Sequence, residues 1–156
     1  ADHVDLEKDI LKIAVVERHK NTGHIGLGYI QGYGLKSGAV ATSISHDSHN
    51  IIVVGTNAAD MAFAANYIVE NHGGIVVVKD GKVLSSVVLE IAGIMSDCPL
   101  TEMNEKLEGA KKAAFRLGVK EGIDPFMTLS FMALPVIPTL RITTRGVIDV
   151  NTQQYI

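Results

Sequence analysis

Residues 11–16 alternate Leu11, Ile13 and Val15 with Lys12, Ala14 and Val16, a period of two that predicts a strand ending in the charged run Glu17-Arg18-His19. After a turn at Asn21-Thr22-Gly23, the run Ile25-Gly26-Leu27-Gly28-Tyr29 alternates large side chains with none. A strand of that pattern has one nearly bare face, where another backbone or a ligand can come close. Apolar runs at 39–44 and 51–55 predict two further strands. Between them lies the wholly polar stretch Ser45-His46-Asp47-Ser48-His49-Asn50, the most chemically loaded segment of the chain.

The period then changes to that of a helix. Asn57 is placed as its cap, with Asp60 at the third position, Met61, Ala65 and Ile68 as the inward stripe, and Gly73 as the stop. Residues 75–78 and 83–89 flank Lys79-Asp80-Gly81-Lys82, in which Asp-Gly suits a two-residue antiparallel hairpin. A second helix is predicted from near Thr101, after Pro99. Met103, Leu107, Ala110, Ala114 and Leu117 recur at helical spacing, Glu105, Lys106, Glu108, Lys111 and Lys112 mark its outer face, and Gly118 ends it. Beyond it, the apolar stretch from Pro125 to Met132 and the prolines at 135 and 138 carry no assigned element, and 140–143 and 147–150 read as strands. With no linker, low-complexity tract or internal repeat, the pattern predicts a single compact α/β domain, with α+β as the related form. Its sheet is expected to be mixed, partly antiparallel, and flanked by helices. The domain is expected over 11–150, with 1–10 as an N-terminal extension and 151–156 as a tail.

Composition narrows the class. The 156 residues are 47% hydrophobic and 20% charged, the balance of a soluble globular domain. A chain of this length buries roughly 70% of the surface it exposes unfolded, so neither disulfide nor structural metal is needed. A net charge of −3 without a Lys/Arg block argues against a nucleic-acid partner. Cys98 is the only cysteine, which removes disulfide frameworks, redox pairs and cysteine zinc sites, and fits a cytoplasmic location. The apolar runs are strand-sized, below the ~20 residues of a membrane helix, and no signal peptide is recognisable; no membrane partner is expected. The first residue is Ala1 rather than Met, as in a processed chain or a piece of a larger protein.

His46, Asp47 and His49 place two imidazoles and a carboxylate close together, and Glu17 and His19 stand at another strand end. These groups suit zinc, iron or manganese, or acid–base work near neutral pH. A His-x-x-His pair without the glutamate of a zinc protease motif also fits a turn held by its own Ser, Asp and Asn hydrogen bonds. Glu17-Arg18-His19 reads equally as the rim of a ligand crevice or as a solvated strand end. In the first reading Arg18 offers a donor fork to a carboxylate or polar ring edge; in the second it pairs with a surface acid. The glycines at 26, 28, 32 and 34 match neither dinucleotide nor P-loop spacing, and tight sheet packing explains them better. Cys98 reads as an incidental or buried thiol. His24 has no partner pattern, His72 suits a helix C-terminus, and His3 lies in the terminus. The stretch from Phe126 to Met132 is either core or an interdomain seam.

Several strings together, Val16-Glu17-Arg18-His19 with Asn21-Thr22-Gly23, residues 45–55, Pro125 to Phe131, and Leu134-Pro135-Val136-Ile137-Pro138, resemble the C-terminal domain of bacterial-type adenine deaminases of the amidohydrolase superfamily. The resemblance implies hydrolysis of adenine to hypoxanthine and ammonia with a divalent metal (manganese, iron or zinc), and places that metal in a (β/α)8 barrel preceding this domain. The barrel's His-x-His signature is absent from this chain, as is the cytidine-type deaminase signature. The expectation is an accessory domain, in a homo-oligomeric enzyme, that packs on the catalytic barrel near its purine substrate. Glu17, Arg18, His19, Ser45 and Asn50 are the substrate-proximal candidates, and His46, Asp47 and His49 the candidates for an additional metal. The alternatives are a purely structural or oligomerisation domain and an independent metal-dependent hydrolase. A shared site requires Glu17-Arg18-His19 and His46-Asp47-Ser48-His49 to lie within about 10 Å of each other.

Overall fold

A computed structural model of the chain describes residues 4–156; His3 lies outside them. Its strands are β1 (Ile10–Val16), β2 (Ile25–Gln31), β3 (Ala39–Thr42), β4 (Ile51–Gly55), β5 (Gly74–Lys79), β6 (Lys82–Val88), β7 (Leu140–Thr143), β8 (Gly146–Asp149) and β9 (Gln154–Tyr155), and its helices are α1 (Ala58–Glu70), α2 (Leu100–Arg116) and α3 (Pro125–Met132). The first six strands form one sheet in the order β2-β1-β4-β3-β5-β6, antiparallel at every pairing, and β7-β8-β9 form a small second sheet. The result is a mixed α/β domain.

Strict alternation along the strands sorts the core into two layers. Leu11, Ile13, Val15, Val40, Ile52, Val54, Ile75 and Val77 point to the face covered by α2, α3 and the β7–β8 hairpin. Ala14, Ala41, Val53, Val76 and Val78 point to the opposite face, where α1 lies over β3, β4 and β5 with Met61, Ala65 and Ile68 inward, as the helical stripe predicts. Asn57 caps α1 by accepting from the Asp60 amide at 2.8 Å. Asp60 is itself 3% exposed and does more than complete the first turn. Its carboxylate accepts from the amides of Asp80 (3.2 Å) and Gly81 (2.9 Å), tying the helix start to the β5–β6 turn.

Two segments differ from the sequence expectation. The stretch 125–132, left without an element, is the helix α3: Asp124 caps it through bonds to the Phe126 and Met127 amides, both 3.0 Å, and Pro125 occupies the first turn. The run 39–44 leaves the sheet after Thr42. Within the segments expected as extension and tail, Asp5 and Ile10 exchange backbone hydrogen bonds of 2.9 and 2.8 Å, and β9 pairs with β8.

The bare face of β2 serves another backbone. A Cβ at Gly26 would stand 1.8 Å from the Thr143 carbonyl oxygen, and one at Gly28 2.9 Å from Val147 Cγ2, so the β7–β8 hairpin seats directly on the glycines. Gly26→Val is therefore expected to lift the hairpin and uncover Ile142, lowering stability by about 1–3 kcal/mol, the cost of overpacking a close contact. The urea midpoint reports it; an unchanged midpoint would show that the hairpin is not held there.

Candidate functional site

Register alone decides where the two polar segments go. β1 runs antiparallel to β4 with Val16 opposite Ile51, so the residues leaving β1 and those entering β4 meet at one end of the sheet. The Arg18 amide donates to Asn50 Oδ1 at 3.2 Å, Arg18 Nε donates to the His49 carbonyl at 2.5 Å, and His19 Nε2 donates to the Ser48 carbonyl at 2.5 Å. The two groups are in hydrogen-bond contact, well inside the 10 Å that a shared site requires.

Several of the candidate side chains are committed inward. The Glu17 carboxylate accepts from the amides of His19, Lys20 (2.7 Å) and Thr22 (3.1 Å) and from the Thr22 hydroxyl (3.1 Å), shaping residues 17–22 into a closed turn. These bonds, the Thr22 amide foremost, hold its pKa down from the ordinary 4.5 to about 2. Arg18 makes no ion pair with a surface acid among the described residues. Its Nη2 donates to the Ala92 carbonyl at 2.6 Å, and its guanidinium lies over Gly93, where a Cβ would come within 2.5 Å of Nη2. Asn50, 8% exposed, also donates from Nδ2 to Ser48 Oγ at 3.0 Å. Ser45 is fully buried beneath the loop, and its hydroxyl, like that of Ser130, has no hydrogen-bond partner among the described residues.

The outward-facing chemistry is carried by His19, His46, Asp47, Ser48 and His49. The His46 and His49 ring centroids are 5.5 Å apart, edge to face, and His46 also stacks on Phe131 of α3 at 5.5 Å. The His46 amide donates to the Ser130 carbonyl, fastening the loop to the helix. His49 Nδ1 accepts from the Ser45 amide at 3.3 Å, which puts the proton of the neutral ring on Nε2. Burial first, then the neighbouring His46 and Arg18, push the His49 pKa down, so the ring is a neutral donor near pH 7.

As a metal centre the arrangement is incomplete. Among the described residues no group of three or more His, Cys, Asp or Glu side chains is placed to hold a metal ion. An ion at His46 and His49 therefore needs ligands from elsewhere. Two clefts flank the loops. One of about 230 Å³ is lined by Val15, Asp47, Asn50, Ile142 and Thr143 among others, and one of about 450 Å³ by Glu17, Arg18, Ile68, His72 and Glu90 among others.

Three contributors were not legible as site residues. Phe131 stood in a stretch read as core or seam, and α3 is both: Phe126 and Leu129 are buried, whereas Met127 and Phe131 face outward. Ala92 and Gly93 carry no side-chain signal at all. They are fixed by Arg18 and by Ser43, whose hydroxyl donates to the Gly93 carbonyl and accepts from the Gly74 amide.

The described residues thus form an antiparallel α/β domain with a histidine-bearing loop cluster at one sheet end. The family model described as the adenine deaminase C-terminal domain matches residues 1–154, and the chain belongs to that family. It is 52% identical over 152 residues to an adenine deaminase of Bacillus licheniformis and 51% identical over 152 residues to one of Bacillus subtilis, covering 97% of this chain and 26% of each relative. An adenine deaminase of Brucella anthropi is 53% identical over 153 residues, 97% of this chain and 27% of that protein. The chain thus spans about a quarter of the length of the relatives it matches. No helix among the described residues is long and apolar enough to cross a membrane.

The Glu17 turn gives a pH signature. Its folded pKa is depressed, so its contribution is fully present above pH 4.5 and is lost as pH falls through about 2. The stability difference between the wild-type chain and Glu17→Gln should be constant above pH 4.5 and shrink on acidification toward pH 2, as read from urea unfolding at each pH. A difference that does not change with pH would mean the carboxylate is not held as described.

Proposed function

We propose that this domain works within an adenine deaminase, releasing ammonia from adenine by hydrolysis, and that its loop cluster borders the mouth of a catalytic site built by the rest of the polypeptide. The observation that carries the reading is the convergence of residues 17–19 with 45–50 through Arg18 Nε and the His49 carbonyl, in a family whose relatives bear that name. The metal such hydrolysis uses belongs, in this reading, to the catalytic part, since the described residues offer no three-ligand set. The domain's own groups position and desolvate. His49 offers a fixed neutral donor, Asp47 an acceptor on the rim of the smaller cleft, and the His46–Phe131 stack an aromatic surface in the same loop cluster. A purine edge presents complementary donors and acceptors, and its ring suits an aromatic wall.

The competing reading is a structural or assembly domain, favoured by the number of polar groups, Glu17, Arg18 and Asn50, that are spent on backbone partners. The two separate by experiment. With His46 and His49 both replaced by alanine in the full-length enzyme, kcat/KM for adenine should fall by about tenfold or more, as a loss of positioning would give, while oligomer size and melting temperature stay unchanged. Unchanged turnover and unchanged metal content together would sink the proposal. Altered assembly with intrinsic activity kept would support the structural reading.

A further inference from the structure

On the α1 side of the large sheet, the helix lies over β3, β4 and β5, with Ala14 of β1 buried at its margin and β2 beyond it. There the side chains of β2 that alternate with Gly26 and Gly28 are solvent-exposed: Ile25 is 55% exposed, Leu27 57% and Tyr29 49%. Between this ridge and α1 runs a groove of about 330 Å³ whose walls include Ala14, Val53, Met61 and Ala65, with Lys12 the only charged lining residue. β2 is also an edge strand. A row of three large apolar side chains on an edge strand beside an apolar groove is a surface that soluble proteins ordinarily cover.

We infer that this ridge and groove dock the preceding part of the same deaminase polypeptide, forming an interdomain surface distinct from the His46–His49 loops; the inference rests on the reading that the domain works within such an enzyme. Three observations select that occupant. The chain is about a quarter of the length of its relatives and matches their C-terminal domain, so most of such a polypeptide precedes it. Asp5 is bonded to Ile10 at the start of β1, and Ile10 lies opposite Gln31, so a preceding segment enters beside the end of the edge strand that carries the ridge. The ridge is also continuous with the loop cluster: Ile25 lies opposite Val16, and the next residues are joined by the bond from the Glu17 amide to the His24 carbonyl. One neighbouring body can therefore cover both.

The test reads accessibility rather than activity, so it stands apart from the His46/His49 experiment. In a Cys98→Ser background, Leu27→Cys is introduced both in the full-length enzyme and in the 156-residue chain, which has its own two-layered core, and its modification by a maleimide is timed. Reaction should be at least about tenfold slower in the full-length enzyme, as expected where modification must await local opening. Equal rates would overturn the inference. So would slowing in the 156-residue chain that deepens with its concentration, because a second copy would then be the occupant. As an independent measurement, Leu27→Glu should lower the urea midpoint of the full-length enzyme and leave that of the 156-residue chain unchanged; a shared decrease would mean that Leu27 supports only its own domain.

Discussion

The sheet end depends on one side chain. Arg18 leaves β1 where the antiparallel register sets it against the start of β4, and its guanidinium donates to the carbonyls of His49 and Ala92, segments 31 and 74 residues away in sequence. A planar, permanently charged fork does this better than lysine, whose single ammonium cannot span two carbonyls in fixed directions. The bond to His49 is partly buried and the bond to Ala92 is exposed, so solvent screening holds each below the about 1.5–3 kcal/mol of a bond from a charged donor shielded from water. Gly93 completes the fit because any side chain there would occupy the guanidinium's place. The strand register brings the two histidine-bearing segments together, and this clasp ties them there.

Around it the polar residues divide by direction. Glu17, Asn50 and Ser43 face backbone amides, hydroxyls and carbonyls, and in doing so fix the turns from which His19, His46, Asp47 and His49 project. Groups that must meet a ligand in a fixed geometry need neighbours with no freedom of their own, and internal bonding provides that. The apparent waste of charged residues on structural bonds is thus compatible with a site. What is held rigid is the backbone, and what is offered is the small set of rings and the carboxylate standing on it.

Local chemistry was legible in the sequence wherever one residue type has one reason to be where it is. The Asn57 cap, the Asp80-Gly81 turn and the stripe of Met61, Ala65 and Ile68 each follow from a local rule, and each stands in the structure. The bare face implied by Gly26 and Gly28 was also readable, though only the structure shows that a backbone, not a ligand, fills it. The α3 helix was missed despite an Asp-Pro start because its apolar residues surround it almost evenly and leave no stripe to read; its buried and exposed faces are assigned by the sheet beneath it and the loop beside it. The Arg18 clasp could not be read at all. Its acceptors are main-chain oxygens, which every residue has, and it joins segments brought together only by strand order.

The same reasoning bears on where catalytic chemistry can reside. Two imidazoles stand 5.5 Å apart, and one ring nitrogen of His49 accepts from the Ser45 amide. His46 stacks on Phe131, Asp47 stands at a cleft lined also by Val15 and Asn50, and the exposed ridge of the sheet begins at the same corner. In the proposed reading, an architecture that fixes its loops by internal bonds and leaves an apolar face open beside them completes a surface begun by another domain, with the polar end positioning and the apolar ridge anchoring.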